Sequence, residues 1–382
     1  MSFEKRSTRW ERNVAHPRRS DASYLAHALR IAERGMFTTH PNPRVGCVLV
    51  RQDVIVGEGY HVKAGDEHAE ASALKAAGDK ARGATAYVTL EPCSFEGRTP
   101  SCAAALIAAG VSRVVAAMDD PDPRNAGKGL QILRDAGVEV TTPLMEESAR
   151  ALNPGHVKRH ETGMPFVRLK LAMSLDGKTA LRNGESQWIT GSEARRDVQR
   201  LRASSSAIVT GVQTVIDDDP TLTVRADGFD SEFADLASAL DKSVYVLDSK
   251  GRIPKGAKLA SNPNAILVSC CPVSSAMRTM QVSSGVDGRV ELLEFLRYLG
   301  REECNEVLFE CGATLAGSLV AQKLVDEFVF YLAPSLMGND ARSLLNLTEI
   351  DKMEDLLQLK ISDLRMVGED IRVTAIQCQD SE

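Results

Sequence analysis

Several things are scarce in this chain, and each scarcity excludes a class of protein. No apolar run approaches the 18 or so residues that a membrane-spanning helix needs, so a helical membrane protein is excluded. Aromatic residues make up only 5% and the formal net charge is −6. Both argue against a basic, aromatic-lined channel for RNA or a surface that grips a nucleic-acid backbone. The signature G-x-x-x-x-G-K-[S/T] is absent, which leaves ATP hydrolysis without support. Eight cysteines spread over 382 residues lack the density of a small secreted disulfide framework and indicate a reducing, cytoplasmic setting. The first twenty residues carry Arg6, Arg9, Arg12, Arg18 and Arg19 but no apolar core, and Glu4 and Glu11 interrupt the basic run. Neither a secretory signal nor a transit peptide fits, and a flexible tail is expected over 1–20.

What is present is an ordinary globular composition, 43% hydrophobic and 26% charged, in a chain long enough for two cores. Apolar spacing predicts a helix from Ser23 to Gly35 and a hairpin pairing Val45–Val50 with Val54–Gly59. A helix is expected from Glu67 to Ala77, a strand from Thr85 to Leu90 and a short helix from Ser101 to Ala109. Strands at Val114–Ala117 and Val138–Val140, flanking a helix near Leu130–Asp135, complete an α/β/α sandwich over 21–163. After Met164-Pro165 the pattern restarts, with strands at Phe166–Ala172, Ala207–Val209, Val244–Leu247, Ala265–Val268, Val307–Phe309 and Glu327–Leu332. A second α/β domain is therefore expected over 164–382, with Ala226–Ser238 and Pro272–Gly288 as surface connections.

The residues that speak of chemistry are His68-Ala69-Glu70, Pro92-Cys93 and Cys102. They supply one imidazole, two thiolates and one spare carboxylate. Three protein ligands leave the fourth tetrahedral position of Zn²⁺ to water, whose pKa the metal lowers to about 7. Glu70 is then placed to shuttle protons, and the set matches the pattern of zinc nucleobase deaminases, except that the second cysteine comes nine residues after the first instead of three. A structural zinc would want a fourth protein ligand, and Cys47 falls in the middle of a strand. Two helix N-termini converging on the metal would help keep both thiolates ionised.

The motifs Thr39-His40-Pro41-Asn42-Pro43, Gly57-Glu58-Gly59-Tyr60-His61, His68-Ala69-Glu70 and Glu91-Pro92-Cys93-Ser94 through Gly97-Arg98-Thr99-Pro100 to Cys102 resemble the deaminase half of the bifunctional riboflavin-biosynthesis deaminase-reductases. That resemblance implies a cytidine-deaminase-like fold. It implies zinc on His68, Cys93 and Cys102, Glu70 as the proton shuttle, and Asn42, His61 and Arg98 in the substrate pocket. The chain departs from the family pattern at Phe95, where His is usual, and at Ser101, where Pro is usual. Phe95 removes a hydrogen-bonding group near the substrate, which raises the alternative of a reductase carrying a vestigial deaminase domain.

In the second half, Gly312-Ala313-Thr314-Leu315-Ala316-Gly317 follows a strand and opens a helix, a place where bare N–H groups favour a pyrophosphate. Gly127-Lys128-Gly129 lacks the third glycine of a dinucleotide fingerprint and reads as a turn and helix start. Leu169-Lys170-Leu171-Ala172, Ser174-Leu175-Asp176-Gly177-Lys178-Thr179-Ala180, Gly184-Glu185-Ser186-Gln187-Trp188 and Asp218-Asp219-Pro220 with Leu222 and Arg225 resemble the reductase half of the same family, with a dihydrofolate-reductase-like fold. The resemblance implies NADPH contacts from Ala172, Trp188, Thr214, Asp218, Ser249 and the turn Gly312–Gly317. It implies contacts to a phosphorylated pyrimidine from Lys170, Ser186, Arg202, Leu222, Arg225 and Glu310. No nucleic-acid or membrane partner is expected, and a homo-oligomer is.

Overall fold

The computed structural model describes residues 20–95, 101–230, 234–235, 239, 241–347 and 350–378. The N-terminal domain opens with α1 (Asp21–Ala32), capped by the Ser20 hydroxyl, and the hairpin β1 (Gly46–Arg51) and β2 (Val54–Tyr60). It continues through α2 (Ala69–Ala77), β3 (Thr85–Val88), α3 (Cys102–Ala108), β4 (Arg113–Ala116), α4 (Lys128–Asp135), β5 (Glu139–Thr141), α5 (Glu146–Leu152) and α6 (Pro154–Thr162). Its sheet has the order β2-β1-β3-β4-β5, antiparallel across the first three strands and parallel across the last three.

Alternation along β1 explains the two helical layers. Cys47 and Leu49 point into a core with Ala69, Ala73, Leu106 and Leu130 from α2, α3 and α4. Val48 and Val50 point the other way, to Tyr24, Leu25 and Ala28 of α1, with Ala149 and Val157 from α5 and α6. Gly59 lets α2 come close to the hairpin, since a Cβ there would lie 2.6 Å from the carbonyl of Ala69.

The C-terminal domain contains β6 (Phe166–Ser174), β7 (Lys178–Ala180), α7 (Ser192–Ser204), β8 (Ala207–Gly211), α8 (Val212–Asp218), β9 (Ser243–Leu247), β10 (Ala265–Ser269) and β11 (Arg278–Gln281). It ends with α9 (Leu292–Arg301), β12 (Glu306–Glu310), α10 (Ala313–Ala321), β13 (Glu327–Ala333), β14 (Arg342–Ser343), β15 (Leu359–Val367) and β16 (Asp370–Gln377). The large sheet runs β11-β10-β9-β8-β12-β6-β13-β16-β15. It is parallel from β11 to β13 and antiparallel in the terminal hairpin. Such parallel strands need both faces covered, and α9 and α10 cover one face while α7 lies on the other.

Three sequence expectations shift. His68 caps α2, which begins at Ala69, so the imidazole stands at the helix mouth and not within its first turn. Pro272–Gly288 contains β11, parallel to β10. Ala226–Gly228 forms a single 3₁₀ turn, and parts of the connection after it lie outside the described residues. Among the described residues no helix is long and apolar enough to cross a membrane.

Candidate active sites

His68, Cys93 and Cys102 arrive from three elements: the cap of α2, the loop after β3, and the first position of α3. Their ligand atoms all lie within 4.8 Å of one another, the one such group among the described residues. His68 Nδ1 is 3.2 Å from Cys102 Sγ and 3.7 Å from Cys93 Sγ. The Cys102 backbone N–H donates to Cys93 Sγ at 3.2 Å. Ser101, in the place of a family proline, caps α3 by accepting from the Ala104 N–H at 3.2 Å, so the departure keeps the helix start that presents Cys102.

The electrostatics fit a divalent cation. Hydrogen bonding from Cys102 and His68 holds the Cys93 thiol well below the ordinary thiol range. Cys102 is pushed up by the adjacent Cys93, by burial and by Glu70. Two soft thiolates crowded beside a carboxylate require a positive charge between them, and an S₂N donor set with no fourth protein ligand among the described residues suits Zn²⁺ with an open position. Glu70, 3% exposed, is raised above the ordinary carboxylate range by burial. A carboxyl raised in this way is suited to general acid and base work.

Asn42 and His61 come to the same place. The His61 ring stands edge-on to His68 with centroids 5.4 Å apart. Its Nδ1 faces the Glu67 carbonyl at 3.1 Å, which can only accept, so Nδ1 carries the proton and Nε2 accepts from Asn42 Nδ2 at 3.1 Å. Burial depresses the His61 pKa and keeps the ring neutral. Asn42 Oδ1 is thereby left for another donor. Phe95 is 43% exposed with the Arg124 guanidinium 5.6 Å from its ring centre. Arg98 lies outside the described residues.

Sequence reasoning missed the support behind Cys93. The buried Glu91 carboxylate accepts four backbone N–H groups, from Asp120 at 3.0 Å, Gly127 at 2.9 Å, Gly129 at 2.8 Å and Leu130 at 3.3 Å. The Gly127-Lys128-Gly129 turn thus starts α4 as expected, and its anion is the protein's own carboxylate. Gly129 is required because a Cβ there would lie 1.9 Å from the Pro92 carbonyl. Asn125 adds to the clamp, accepting from the Ser94 N–H at 2.8 Å. No local signal links Glu91 to a turn so far along the chain.

In the C-terminal domain a cleft of about 1970 Å³ opens at the carboxyl ends of the parallel strands, the usual place for a ligand in such sheets. Lys170 and Ala172 of β6, Glu310 at the end of β12, Thr214 and Asp218 of α8, and Ser186, Trp188, Arg202, Leu222, Arg225 and Ser249 all line it. So do Gly312, Ala313, Thr314 and Leu315 at the start of α10. Ala316 and Gly317 do not: Ala316 is fully buried, and Gly317 packs on Asn346, whose carbonyl a Cβ would meet at 2.0 Å.

Charge in the cleft is organised around Glu310. Arg202 binds it bidentately, Nε at 2.6 Å and Nη2 at 3.0 Å, and gives Nη1 to the Thr223 carbonyl at 3.0 Å. These bonds hold Glu310 below the ordinary carboxylate range against its burial. Lys170 is lowered by burial, with its Nζ 5.8 Å from the Tyr331 ring centre. Ser186 Oγ donates to Asp218 at 2.7 Å. Trp188 is 70% exposed and carries the Arg195 guanidinium at 4.6 Å.

Comparison with known proteins agrees with both halves. Residues 18–118 match a family described as the cytidine and deoxycytidylate deaminase zinc-binding region, and residues 165–373 match the RibD C-terminal domain. Fold and site define a zinc-binding, cytidine-deaminase-like domain joined to a reductase domain, an enzyme of two activities. The riboflavin biosynthesis protein RibD of Escherichia coli is 48% identical over 359 residues, covering 92% of this chain and 98% of its own. Its Haemophilus influenzae counterpart is also 48% identical, covering 93% and 96%. The solved structure of Acinetobacter baumannii RibD is 43% identical and superposes with a TM-score of 0.86, covering 94% of this chain and 99% of that one. A Thermotoga maritima structure, described as a diaminohydroxyphosphoribosylaminopyrimidine deaminase/5-amino-6-(5-phosphoribosylamino)uracil reductase, is 28% identical with a TM-score of 0.82 and the same coverage. The chain belongs to the RibD family, the bifunctional deaminase-reductases of riboflavin biosynthesis.

Proposed function

We propose that the N-terminal domain removes the 2-amino group of 2,5-diamino-6-(5-phosphoribosylamino)pyrimidin-4-one as ammonia, and that the C-terminal domain then reduces the ribosyl chain to ribityl with NADPH. The division between them falls after Gly163, which ends α6. The observation that carries the first step is Glu70, a buried carboxyl in the first turn of α2 beside one nitrogen and two sulfur donors. Zn²⁺, when bound by His68, Cys93 and Cys102, supplies a water made nucleophilic near neutral pH. Glu70 takes the proton that this water gives up and hands it to the departing amino nitrogen, so one carboxyl serves both half-reactions. Asn42 Oδ1 accepts from the pyrimidine, its orientation locked by His61, and Arg98 is a further substrate contact.

For the second step, NADPH supplies the hydride, and the protein's part is to bind and orient. The first turn of α10, Gly312 to Leu315, offers N–H groups for the pyrophosphate. Trp188 offers an exposed face for stacking, and Ala172, Thr214, Asp218 and Ser249 line the same cleft. Lys170, Ser186, Leu222 and Arg225 meet the phosphorylated substrate, and Glu310, fixed by Arg202, orients its polyol. Ile361, Leu364 and Met366 stand exposed on β15, which supports a homo-oligomer, and the free cysteines suit the cytoplasm. The test follows ammonia release and NADPH oxidation separately, with the diaminopyrimidine phosphate as substrate. Both signals are expected. NADPH oxidation only on pre-deaminated substrate, with no ammonia, would instead favour the vestigial reading raised by Phe95.

A further inference from the structure

Side chains of the C-terminal domain hold the backbone on either side of Asn42. Asn305, just before β12, donates Nδ2 to the Pro41 carbonyl at 2.8 Å. Its Oδ1 accepts from Arg159 Nε of α6 at 2.7 Å, so one amide is keyed at both ends into the N-terminal domain. Ser206 Oγ meets His40 Nδ1 at 3.0 Å and accepts from the Asn305 and Glu306 N–H groups at 3.0 and 3.1 Å. Beyond Asn42, Arg44 pairs with Glu306 at 2.6 Å. The Arg44 backbone is clamped by Asn153, with its N–H on Oδ1 at 2.7 Å and its carbonyl on Nδ2 at 2.8 Å. Residues 40, 41 and 44 are thus each fixed from the second domain, while Asn42 reaches into the deaminase site to His61.

The chemistry of this contact is that of a locator more than a glue. Apolar contact is non-directional and would hold two domains together without fixing a carbonyl to a few tenths of an ångström. Here the partners are polar, directional and buried: Asn305 is 7% exposed, Ser206 7% and Glu306 4%. An unmade bond at such a site costs more than a made one contributes, which keeps the arrangement single-valued. The contact also lies at the amino end of β12, and the reductase cleft begins at Glu310, about 13 Å further along at about 3.3 Å per residue. Disturbing one end therefore leaves the cleft residues in place.

The geometry points to Asn305 as a positioning residue for deamination: the C-terminal domain completes the pyrimidine pocket of the N-terminal domain by fixing the Pro41 carbonyl and, through it, Asn42. This rests on the reading of Asn42 as a substrate contact. Asn305→Asp keeps the shape and the Arg159 partner but sets an acceptor against the Pro41 carbonyl; Asn305→Ser keeps the polarity and shortens the reach. In the full-length zinc enzyme, either variant should raise the KM for the diaminopyrimidine phosphate in ammonia release roughly five- to tenfold, the worth of one hydrogen bond. The kcat should stay within about twofold, with zinc content and NADPH oxidation on deaminated substrate unchanged. An unchanged KM in both variants would overturn the proposal, as would a joint fall of kcat, NADPH oxidation and thermal midpoint, which marks a merely structural residue. Asn42→Ala separates the two readings. If it leaves the same KM unmoved while the wild type releases ammonia, the substrate role of Asn42 fails; if it raises KM and the Asn305 variants do not, only the positioning role fails.

Discussion

Replacing Glu91 with Gln tests how the zinc loop is held. The carboxylate has Oε2 on the N–H groups of Asp120 and Gly127 and Oε1 on those of Gly129 and Leu130. An amide can present its oxygen to only one of these pairs and turns an NH₂ group toward the other, leaving two buried donors unmatched. Each unmatched donor costs about 1–3 kcal/mol, and losing the charge at the N-terminus of α4 removes up to about 1 more. Loop relaxation and entering water recover part of this, so a net loss of about 3 kcal/mol is expected. At about 2–4 °C per kcal/mol for a domain of this size, the first unfolding transition should fall by roughly 6–12 °C. Because Glu91 sets the exit of the chain toward Cys93, zinc affinity should fall about tenfold as well. Calorimetry and competition with a chelator read the two effects. A shift under about 2 °C with unchanged zinc affinity would refute the reasoning.

Further outcomes follow from the same geometry. Burial, reinforced by Lys242, depresses the His40 imidazole to about 4. Between its unfolded value near 6.5 and that value the unfolded chain binds a proton that the folded chain does not. This contribution is therefore full above about pH 6.5 and is lost as pH falls toward 4, an effect of about 3 kcal/mol. His40→Gln should show a smaller drop in urea midpoint between pH 7 and 4.5 than the wild type; equal drops would contradict the assignment. Glu310→Gln strips Arg202 of its buried partner, so a loss of about 3 kcal/mol and at least tenfold slower NADPH oxidation are expected while ammonia release continues; an unaltered thermal midpoint would refute the pairing. Trp188→Ala should leave stability within about 0.5 kcal/mol and raise the KM for NADPH about tenfold, as loss of one stacking surface would; steady-state kinetics with unchanged KM would remove Trp188 from the cofactor contacts.

The parts of the fold that were legible in the sequence are those whose signal is local. The hairpin β1–β2 stood out as two β-rich runs around Gln52-Asp53, both at positive φ, β8, β9, β10, β12 and β13 as short, mostly buried apolar runs, and β6 as an alternating one. The terminal hairpin β15–β16 carries no such local signal. Its outer strand mixes Ile361, Leu364 and Met366 with Lys360, Asp363 and Arg365, and a register shift between Ile361 and Asp363 breaks the alternation. The candidate deaminase site was legible because His68 and Glu70 sit together at one helix start and Cys93 and Cys102 lie only nine residues apart in the sequence. What the sequence could not disclose is what only folding brings together: the Glu91 clamp on α4, the pairing of Arg202 with Glu310, and the grip of Asn305 on Pro41.

The account rests most heavily on Glu70 as the proton carrier beside the zinc ligands. The direct measurement uses full-length Glu70→Gln, with metal content, ammonia release from the diaminopyrimidine phosphate, and NADPH oxidation on the deaminated substrate read in the same preparation. The account predicts one zinc per chain, NADPH oxidation at the wild-type rate, and ammonia release slower by about 10²–10⁴. Ammonia release at the wild-type rate from a zinc-loaded Glu70→Gln enzyme would contradict it.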